Sequence, residues 1–249
     1  EKGKTEENKD ITQTKEAVKK IEIYYNYPAI DSIGFIRKEP VTPAGSIFNV
    51  KNDKVLISVG DLIYIKPERN SNFTPGTKYI VYRTFDPLID KETEKLIGYQ
   101  HYMTGIVEIK KTEPLYVIAE VITSFKEIGI NDLLMPYIPK SSHIPIIESV
   151  KGIEGTIIAS EEKRELIGDN MVVYIDKGEA DGVKPGQFYS IFYREKKKIS
   201  PDIKEETYLD PVDFGKIFVL STEQTTSSVH VAKSDKNINV GTKIRSPVK

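Results

Sequence analysis

The sequence is first informative through what it lacks. Its 249 residues include no Cys, no Trp and only three His. The absence of Cys excludes a disulfide scaffold, a thiolate nucleophile, an iron–sulfur cluster and a Cys-based zinc site. The 36 basic and 37 acidic residues nearly cancel, which argues against a protein that binds nucleic acid by neutralising phosphates. No stretch approaches the ~20 apolar residues of a spanning helix, so we expect neither a nucleic-acid partner nor a transmembrane segment.

The first part of the chain differs in composition from the rest. Residues 1–16 are mostly charged or polar, and Ile11 is their one large aliphatic residue. Such a segment buries too little apolar surface to offset the entropy of ordering it. Ala17, Val18 and Ile21 form at most one face of a short helix. Residues 1–21 are therefore predicted to be a flexible charged tail or a short helix.

From Ile21 onward, short runs of Val, Ile, Tyr and Thr alternate with Gly, Pro, Asn and Asp. This pattern is typical of β-strands joined by turns, and hardly any window keeps helical periodicity. We therefore predict an all-β fold. The candidate strands are Ser46–Val50, Leu62–Lys66, Lys78–Thr84, Gly105–Lys110, Leu115–Thr123, Leu133–Tyr137, Thr156–Ala159, Met171–Asp176, Gln187–Arg194, Phe214–Leu220, Ser227–Lys233 and Thr242–Arg245.

The two halves of the strand series resemble each other at a constant offset. Gly155-Thr156-Ile157 repeats Gly45-Ser46-Ile47, an offset of 155 − 45 = 110. Further matches are Tyr64-Ile65 with Tyr174-Ile175, Pro75-Gly76 with Pro185-Gly186, Gly105 with Gly215, Ser124-x-Lys126-x-Ile128 with Ser234-x-Lys236-x-Ile238, and, one residue later at 111, Tyr82-Arg83 with Tyr193-Arg194. Agreement over such a length indicates an internal duplication.

The duplication predicts two tandem small domains, each a β-barrel or a sandwich-like fold. The first domain is placed at residues 22–137 and the second at 151–249. Residues 138–150 between them contain Pro139 and Pro145, which lack an amide donor, and the polar pair Ser141-Ser142. These features are typical of an extended connector. Its apolar residues Ile144, Ile146 and Ile147 indicate that part of it packs on a domain.

The most conspicuous local motif is a turn that recurs in both units. Gly178 is expected to adopt a positive φ, Asp181-Gly182 marks a second turn, and Pro185-Gly186 suits a type II turn with glycine in its third position. Val183 is expected to plug one end of the core. In the first unit, Asn72 replaces Gly182 and is expected to tolerate the left-handed conformation, while Pro75-Gly76 is retained. We interpret the motif as a structural turn; a ligand-binding loop is the alternative.

The residue types of catalytic and metal sites are sparse or scattered. His101 lies between tyrosines, His143 lies in the connector, and His230 is expected on a solvent-facing side of its strand. The sequence contains no metal-ligand spacing, nucleophile elbow, phosphate-binding loop or dinucleotide-binding pattern. We therefore predict no catalytic, cofactor-binding or metal-binding residues and no enzymatic activity. Strand packing accounts for most of the fourteen Tyr, with an aromatic surface for carbohydrate or a protein as the alternative.

The repeated unit resembles a known group of envelope proteins. It reads Gly-x-Ile, a strand with Tyr-Ile, then Asp-Gly-Val-x-Pro-Gly at Asp181–Gly186, and an aromatic strand ending in Tyr-Arg. This order is similar to the region that follows the LysM module in periplasmic LysM-containing peptidoglycan-binding proteins, including those associated with the type IV pilus secretin. It also resembles the C-terminal domain of flagellar assembly protein T. The resemblance covers about Ser32 to Arg245.

The resemblance implies a non-enzymatic scaffold or adaptor in the periplasm, with its signal peptide removed. Its implied partner is an envelope complex such as a secretin or a flagellar basal ring, contacted through sheet edges and loops. Peptidoglycan contact would come through a LysM module, whose signature this chain lacks. The alternative function is a carbohydrate-binding module that holds peptidoglycan through an aromatic surface.

Overall fold

A computed structural model describes residues 22–90, 93–199 and 206–248. The predicted charged tail, residues 1–21, lies outside the described residues. The strands of the first half are β1 Tyr24–Asn26, β2 Phe35–Arg37, β3 Gly45–Val50, β4 Leu62–Pro67, β5 Lys78–Thr84, β6 Leu88–Ile89, β7 Leu96–Thr112, β8 Val117–Ser124 and β9 Leu133–Pro136. Those of the second half are β10 His143–Pro145, β11 Glu154–Ser160, β12 Val172–Ile175, β13 Phe188–Tyr193, β14 Lys196–Lys198, β15 Glu206–Tyr208, β16 Val212–Thr222, β17 Ser227–Ser234 and β18 Lys243–Arg245.

Twelve of these strands form two closed six-stranded antiparallel barrels. In the first barrel the strands follow the order β3, β4, β8, β7, β5 and β9, with β9 returning to β3. In the second they follow β11, β12, β17, β16, β13 and β18, with β18 returning to β11. Every predicted strand is one of these twelve, so the all-β class and the two tandem barrels are confirmed. Helical structure among the described residues is limited to three-residue 3-10 turns at Ile30–Ser32, Lys51–Asp53 and Glu179–Asp181.

The registers of the two barrels are equivalent at an offset of 110 residues. The matched cross-strand pairs are Ile47–Ile65 with Ile157–Ile175, Val81–Gly105 with Ile191–Gly215, and Ile57–Ile128 with Ile167–Ile238. A β-bulge follows Ile47 and Ile157 in the same place, and another follows Val81 and Ile191. The duplication is therefore present in backbone geometry as well as in sequence.

One detail of the sequence alignment is wrong. The shared Tyr-Arg dipeptide aligned Tyr82 with Tyr193, which requires one inserted residue in the second unit. The ladder instead matches Tyr82 with Phe192, because both directly follow the bulge after the Val81 and Ile191 positions. Hydrogen-bond register rather than residue identity defines the equivalence, so no insertion is needed in this strand.

Each barrel is filled by inward-facing aliphatic and aromatic side chains. The first core includes Ile47, Ile63, Ile65, Val107 and Ala119, all fully buried. The second includes their equivalents Ile157, Val173, Ile175, Ile217 and Val229. Burying each of these Ile and Val side chains stabilises the fold by roughly 1.5–3 kcal/mol. Because side chains alternate between the two faces of a strand, the positions between these core residues point outward from the barrel.

Candidate functional site

The repeated Pro-Gly pairs form equivalent turns at the entrances of β5 and β13. The Thr77 amide donates to the Thr74 carbonyl at 3.1 Å, and the Gln187 amide donates to the Lys184 carbonyl at 3.4 Å. Pro75 and Pro185 occupy the second turn positions. Gly76 and Gly186 follow with φ values of 84° and 97°, a conformation that glycine adopts without steric cost.

Gly178 has a different role from the one expected. Its φ is −138°, so the expected positive φ is wrong. A Cβ atom at this position would lie 2.3 Å from the Glu223 carbonyl oxygen, and glycine is required by this close approach. The Gly178 amide donates to Asp181 at 3.0 Å, and Gly182 ends the short 3-10 turn with φ 82°.

Asn72 also departs from its expected conformation. The left-handed residue in its loop is Asn70, with φ 70°, and Asn72 is not among the residues with positive φ. The Asn72 carbonyl instead accepts a hydrogen bond from the Tyr79 hydroxyl at 3.1 Å. The next residue, Phe73, enters the first core as Val183 enters the second. The side chains of the motif thus serve the barrel ends.

The main contact between the barrels is made by β2, which the sequence did not single out. Strand β2 pairs with residues 99–101, in the N-terminal part of β7, and lies against β17 of the second barrel. The Thr226 and Ser228 hydroxyls donate to the carbonyls of Ile36 and Gly34 at 2.6 and 2.7 Å. The Ile36 side chain, only 1% exposed, packs against Ile158 and Tyr174. An extended segment of one barrel thus covers the outer face of the other.

Gly34 and Glu161 form the polar centre of this junction. A Cβ atom on Gly34 would lie 2.3 Å from the His101 carbonyl oxygen and 2.7 Å from the Tyr174 hydroxyl. The Gly34 amide donates to Glu161 Oε1 at 2.8 Å, and Gln100 Nε2 donates to the Glu161 carbonyl at 2.8 Å. Burial raises the pKa of Glu161, while the Gly34 amide and Lys126 act in the opposite direction. Both the main chain and the side chain of Glu161 therefore bind the first barrel.

A second part of the junction covers β16 and β17. The Tyr25 ring stacks on Phe218 with centroids 4.1 Å apart, and its hydroxyl hydrogen-bonds to His230 Nδ1 at 2.8 Å. The expectation that His230 faces solvent is wrong, because its side of the strand is covered by Tyr25 and Tyr27. Burial lowers the pKa of His230, so the neutral form is favoured here.

The connector contributes to the same surface. Its strand β10 pairs with β1, placing Ile144 opposite Tyr25. Ile144 is buried with Ile30, Ile33 and Val172, whereas Ile146 and Ile147 remain partly exposed. The connector is therefore anchored on the second barrel by the buried Ile144 side chain and by the Ile147 amide, which donates to the Gly186 carbonyl at 3.0 Å.

The other two histidines have unlike surroundings. His101 is buried, stacks on Phe35 at a centroid distance of 4.5 Å, and accepts a hydrogen bond from the Val41 amide through Nε2 at 3.0 Å. Burial lowers the pKa of His101 to about 4. His143 is exposed, and its Nδ1 lies 3.1 Å from the Ser142 hydroxyl. Within residues 22–90, 93–199 and 206–248, no three acidic or histidine side chains are grouped to hold a metal ion.

The first barrel presents an aromatic surface at the positions equivalent to the junction. Phe48, Tyr64 and Tyr116 lie on β3, on β4 and immediately before β8, with centroid distances of 6.2 and 5.8 Å between successive rings. Phe48 is the extra residue of the β3 bulge, as Ile158 is in β11. Phe48 is 47% exposed and Ile158 only 8%. We call Phe48, Tyr64 and Tyr116 the open face.

Two apolar runs, Met171–Ile175 and Ile217–Leu220, could have indicated the junction. Met171–Ile175 is continuously apolar, which is typical of a strand buried on both faces. Val172 and Tyr174, on its outward side, are indeed buried between the barrels. The hydroxyls of Thr226 and Ser228 and the glycine at 34 had no such signal, since their role depends on a segment about 190 residues away.

No protein-family model matches the sequence, and no curated protein matches it. In the described parts of the chain, no helix has the length and apolar character needed to span a bilayer.

Proposed function

We propose that this chain is a non-enzymatic scaffold or adaptor of the cell envelope that contacts a protein complex such as a secretin or a flagellar basal ring. The observation that carries the proposal is the junction. Strand β2 of the first barrel covers the second barrel, so the two barrels form one extended unit with defined outer surfaces. An adaptor needs such a unit, because it must hold partners at fixed relative positions.

The buried titratable groups support a structural role. Glu161 accepts a hydrogen bond from the Gly34 amide, and His101 accepts one from the Val41 amide. His230 is hydrogen-bonded to Tyr25. Each of these bonds joins segments of the fold, and burial disfavours the charged form of each group. Side chains that would be candidates for acid–base chemistry are thus used to hold the N-terminal segment in place.

Ion pairs at the edge of the junction help to fix the orientation of the two barrels relative to each other. Arg37 Nε and Nη2 donate to the two carboxylate oxygens of Glu223 at 2.9 and 3.0 Å. Lys126 pairs with Glu162 at 2.6 Å on another side. A bidentate pair constrains direction as well as distance. These contacts support a fixed arrangement of the barrels, as a scaffold requires.

A labelling experiment in the cells that produce the protein tests the proposal. The chain is fused to a proximity-labelling enzyme and expressed as wild type, as Ile36→Asp, which places a charge in the buried junction, and as Ile23→Asp at an exposed position. We expect wild type and Ile23→Asp to label the same envelope-complex proteins, and Ile36→Asp to lose them. Equal labelling by all three variants, or labelling of cytoplasmic proteins, would contradict the proposal.

A sedimentation experiment separates the adaptor from the alternative function. The purified chain is mixed with purified peptidoglycan and centrifuged. We expect the chain to remain in the supernatant, since the adaptor contacts protein. Saturable sedimentation with the peptidoglycan would instead favour the carbohydrate-binding module.

A further inference from the structure

The open face of the first barrel is the structural equivalent of the covered face of the second. At the offset of 110, Phe48 matches Ile158, Tyr64 matches Tyr174, and the registers of their strands agree. In the second barrel these positions are buried by the segment Gly34–Arg37, with Leu88 and Ile97 packed beside Ile36. The covered face of the second barrel therefore shows which kind of segment such a face can bind.

The covering segment has a simple chemistry. It is extended, it inserts the branched side chain of Ile36 between Ile158 and Tyr174, and it exposes its carbonyls to hydroxyl donors. The next residue, Arg37, forms a bidentate ion pair with Glu223 in the turn between β16 and β17. The recognised pattern is a branched aliphatic residue followed by a basic residue.

The first barrel retains the acidic partner of the basic residue, whereas Lys51 and Ile118 stand where the second barrel has Glu161 and Ser228. Glu113 occupies the position of Glu223 in an identical turn: the Glu113 amide donates to the Tyr116 carbonyl at 2.9 Å, as the Glu223 amide donates to Thr226 at 2.8 Å. Phe48 and Tyr64 supply the apolar surface, and Tyr116 occupies the chain position equivalent to Thr226. Glu113 pairs with the exposed Lys111 at 2.5 Å, so an Arg or Lys of a partner would take the place of Lys111. An acidic group next to an aromatic surface suits the same aliphatic-basic pair.

The neighbouring half of the same barrel surface has diverged. Lys78, Glu108, Lys110 and Glu120 stand where the second barrel has Phe188, Phe218, Leu220 and His230. Lys110 pairs with both Glu108 and Glu120, at 2.8 and 2.9 Å. These charged side chains suit contact with water, so the binding surface is limited to the open face and Glu113.

We propose that the open face binds an extended segment of a partner protein that presents a branched aliphatic residue followed by Arg or Lys. The inference deepens the proposed adaptor function and rests on it. A second copy of the chain is not the occupant, because its own Gly34–Arg37 segment is already engaged, with Ile36 buried. A flat sugar is also poorly matched, since the rings are inclined to one another by 44° and 72° rather than forming one platform.

The test uses the chain's own covering segment as the probe. A synthetic peptide of residues 32–40, Ser-Ile-Gly-Phe-Ile-Arg-Lys-Glu-Pro, is titrated into the isotope-labelled full chain and followed by NMR. We expect saturable shifts at Tyr64, Tyr116 and Ile118. The Phe48→Ala variant should bind about tenfold more weakly, as expected for loss of an aromatic anchor. Leu56→Ala, at another exposed apolar position of the same barrel, is the matched control and should bind as wild type does.

A charge swap tests the acidic group. Glu113→Lys should abolish saturable binding of this peptide, and a peptide with Arg37→Glu should restore it. Because Glu113 lies in a partly exposed turn and its ion pair with Lys111 is on the surface, we expect Glu113→Lys to keep the fold. The proposal would be overturned if the Arg37→Glu peptide did not bind Glu113→Lys and if Phe48→Ala bound the original peptide as wild type does.

Other outcomes point to other occupants and also overturn it. Peptide-induced shifts at Ile158 and Tyr174 alone would mean that the peptide displaces β2. Concentration-dependent sedimentation that Phe48→Ala abolishes would identify a second copy, and shifts of the open face on addition of peptidoglycan fragments would identify a glycan. If the peptide fails while the labelling experiment succeeds, the adaptor function stands and only this docking surface is lost.

Discussion

The two barrels share one architecture but differ in what covers their outer faces. In the second barrel, Tyr174 is fully buried beneath the first barrel's N-terminal segment, whereas the equivalent Tyr64 remains partly exposed. The difference shows that duplication preserved the inward-facing core and allowed the outward positions to diverge. Packing constrains the inside of each barrel by itself, but the outside depends on which neighbour lies against it.

The largest expected effect comes from breaking the covered face at Gly34. In Gly34→Ala the new methyl group meets the His101 carbonyl oxygen, a backbone atom that cannot rotate away. We expect the free energy of unfolding to fall by about 3 kcal/mol, as for severe overpacking. Urea denaturation measures this. Gly168→Ala, where a Cβ meets nothing within 4 Å, is the control and should change stability by less than about 0.5 kcal/mol. Equal stability of the two variants would contradict the prediction.

Acid should weaken the covered side of the molecule. Burial lowers the pKa of His101 to about 4 from an ordinary 6.5, so below pH 6.5 the unfolded chain binds the proton more readily than the folded chain. Stability should therefore fall as the pH drops from 6.5 towards 4, by up to about 3 kcal/mol. The raised pKa of Glu161 acts in the opposite direction, since protonation removes the cost of burying its charge.

The variant His101→Gln isolates this effect. Urea denaturation at several pH values should show a flatter stability profile for His101→Gln than for wild type. The matched variant His143→Gln, at an exposed histidine, should retain the wild-type profile. A His101→Gln profile as steep as that of wild type would count against the buried neutral histidine.

Paired truncations sharpen the comparison directly. Ile158 and Phe48 are equivalent bulge residues with opposite exposure. We expect Ile158→Ala to lower the free energy of unfolding by about 2 kcal/mol, because it leaves a cavity in the junction. Phe48→Ala should lower it by no more than about 0.5 kcal/mol. Thermal or urea unfolding of both variants decides the matter, and a larger loss for Phe48→Ala would mean that its face is covered.

The smallest expected effect concerns the Tyr25–His230 hydrogen bond. Removing the hydroxyl in Tyr25→Phe keeps the stacking on Phe218 and leaves His230 Nδ1 without its partner. We expect a loss of about 1 kcal/mol, the usual size for a buried neutral hydrogen bond. Tyr24→Phe removes a hydroxyl that bonds only to Glu22 on the surface and should leave stability unchanged. Similar losses in both variants would show that the buried bond adds nothing.

The barrels were predictable because the sequence patterns that specify their strands and turns are local and occur twice. Alternation of apolar residues located all twelve barrel strands, and the offset of 110 paired them into two copies. The Pro-Gly turns were also readable, since proline and glycine fix the φ values that such a turn needs. Gly178 was misread, because a glycine required by a close approach looks the same in sequence as one required by a positive φ.

The junction was less predictable because it joins residues that are distant in sequence. His230 alternates with buried valines and was therefore expected to face solvent, yet a tyrosine 205 positions earlier covers it. The unbroken apolar runs at Met171–Ile175 and Ile217–Leu220 are the sequence features that could have indicated a second buried face. The open face had no signal of its own, since outward aromatic residues are ordinary in strands.

By itself, the sequence determined that the chain is all-β, duplicated and without thiol chemistry, because strand periodicity, turn residues and composition act over short range. Only the tertiary structure decided that β2 of one barrel seals the other, that Gly34 must be glycine, and that the equivalent face at Phe48 is left open. Those outcomes depend on which surfaces meet across about 200 residues of chain, and no local pattern encodes that meeting.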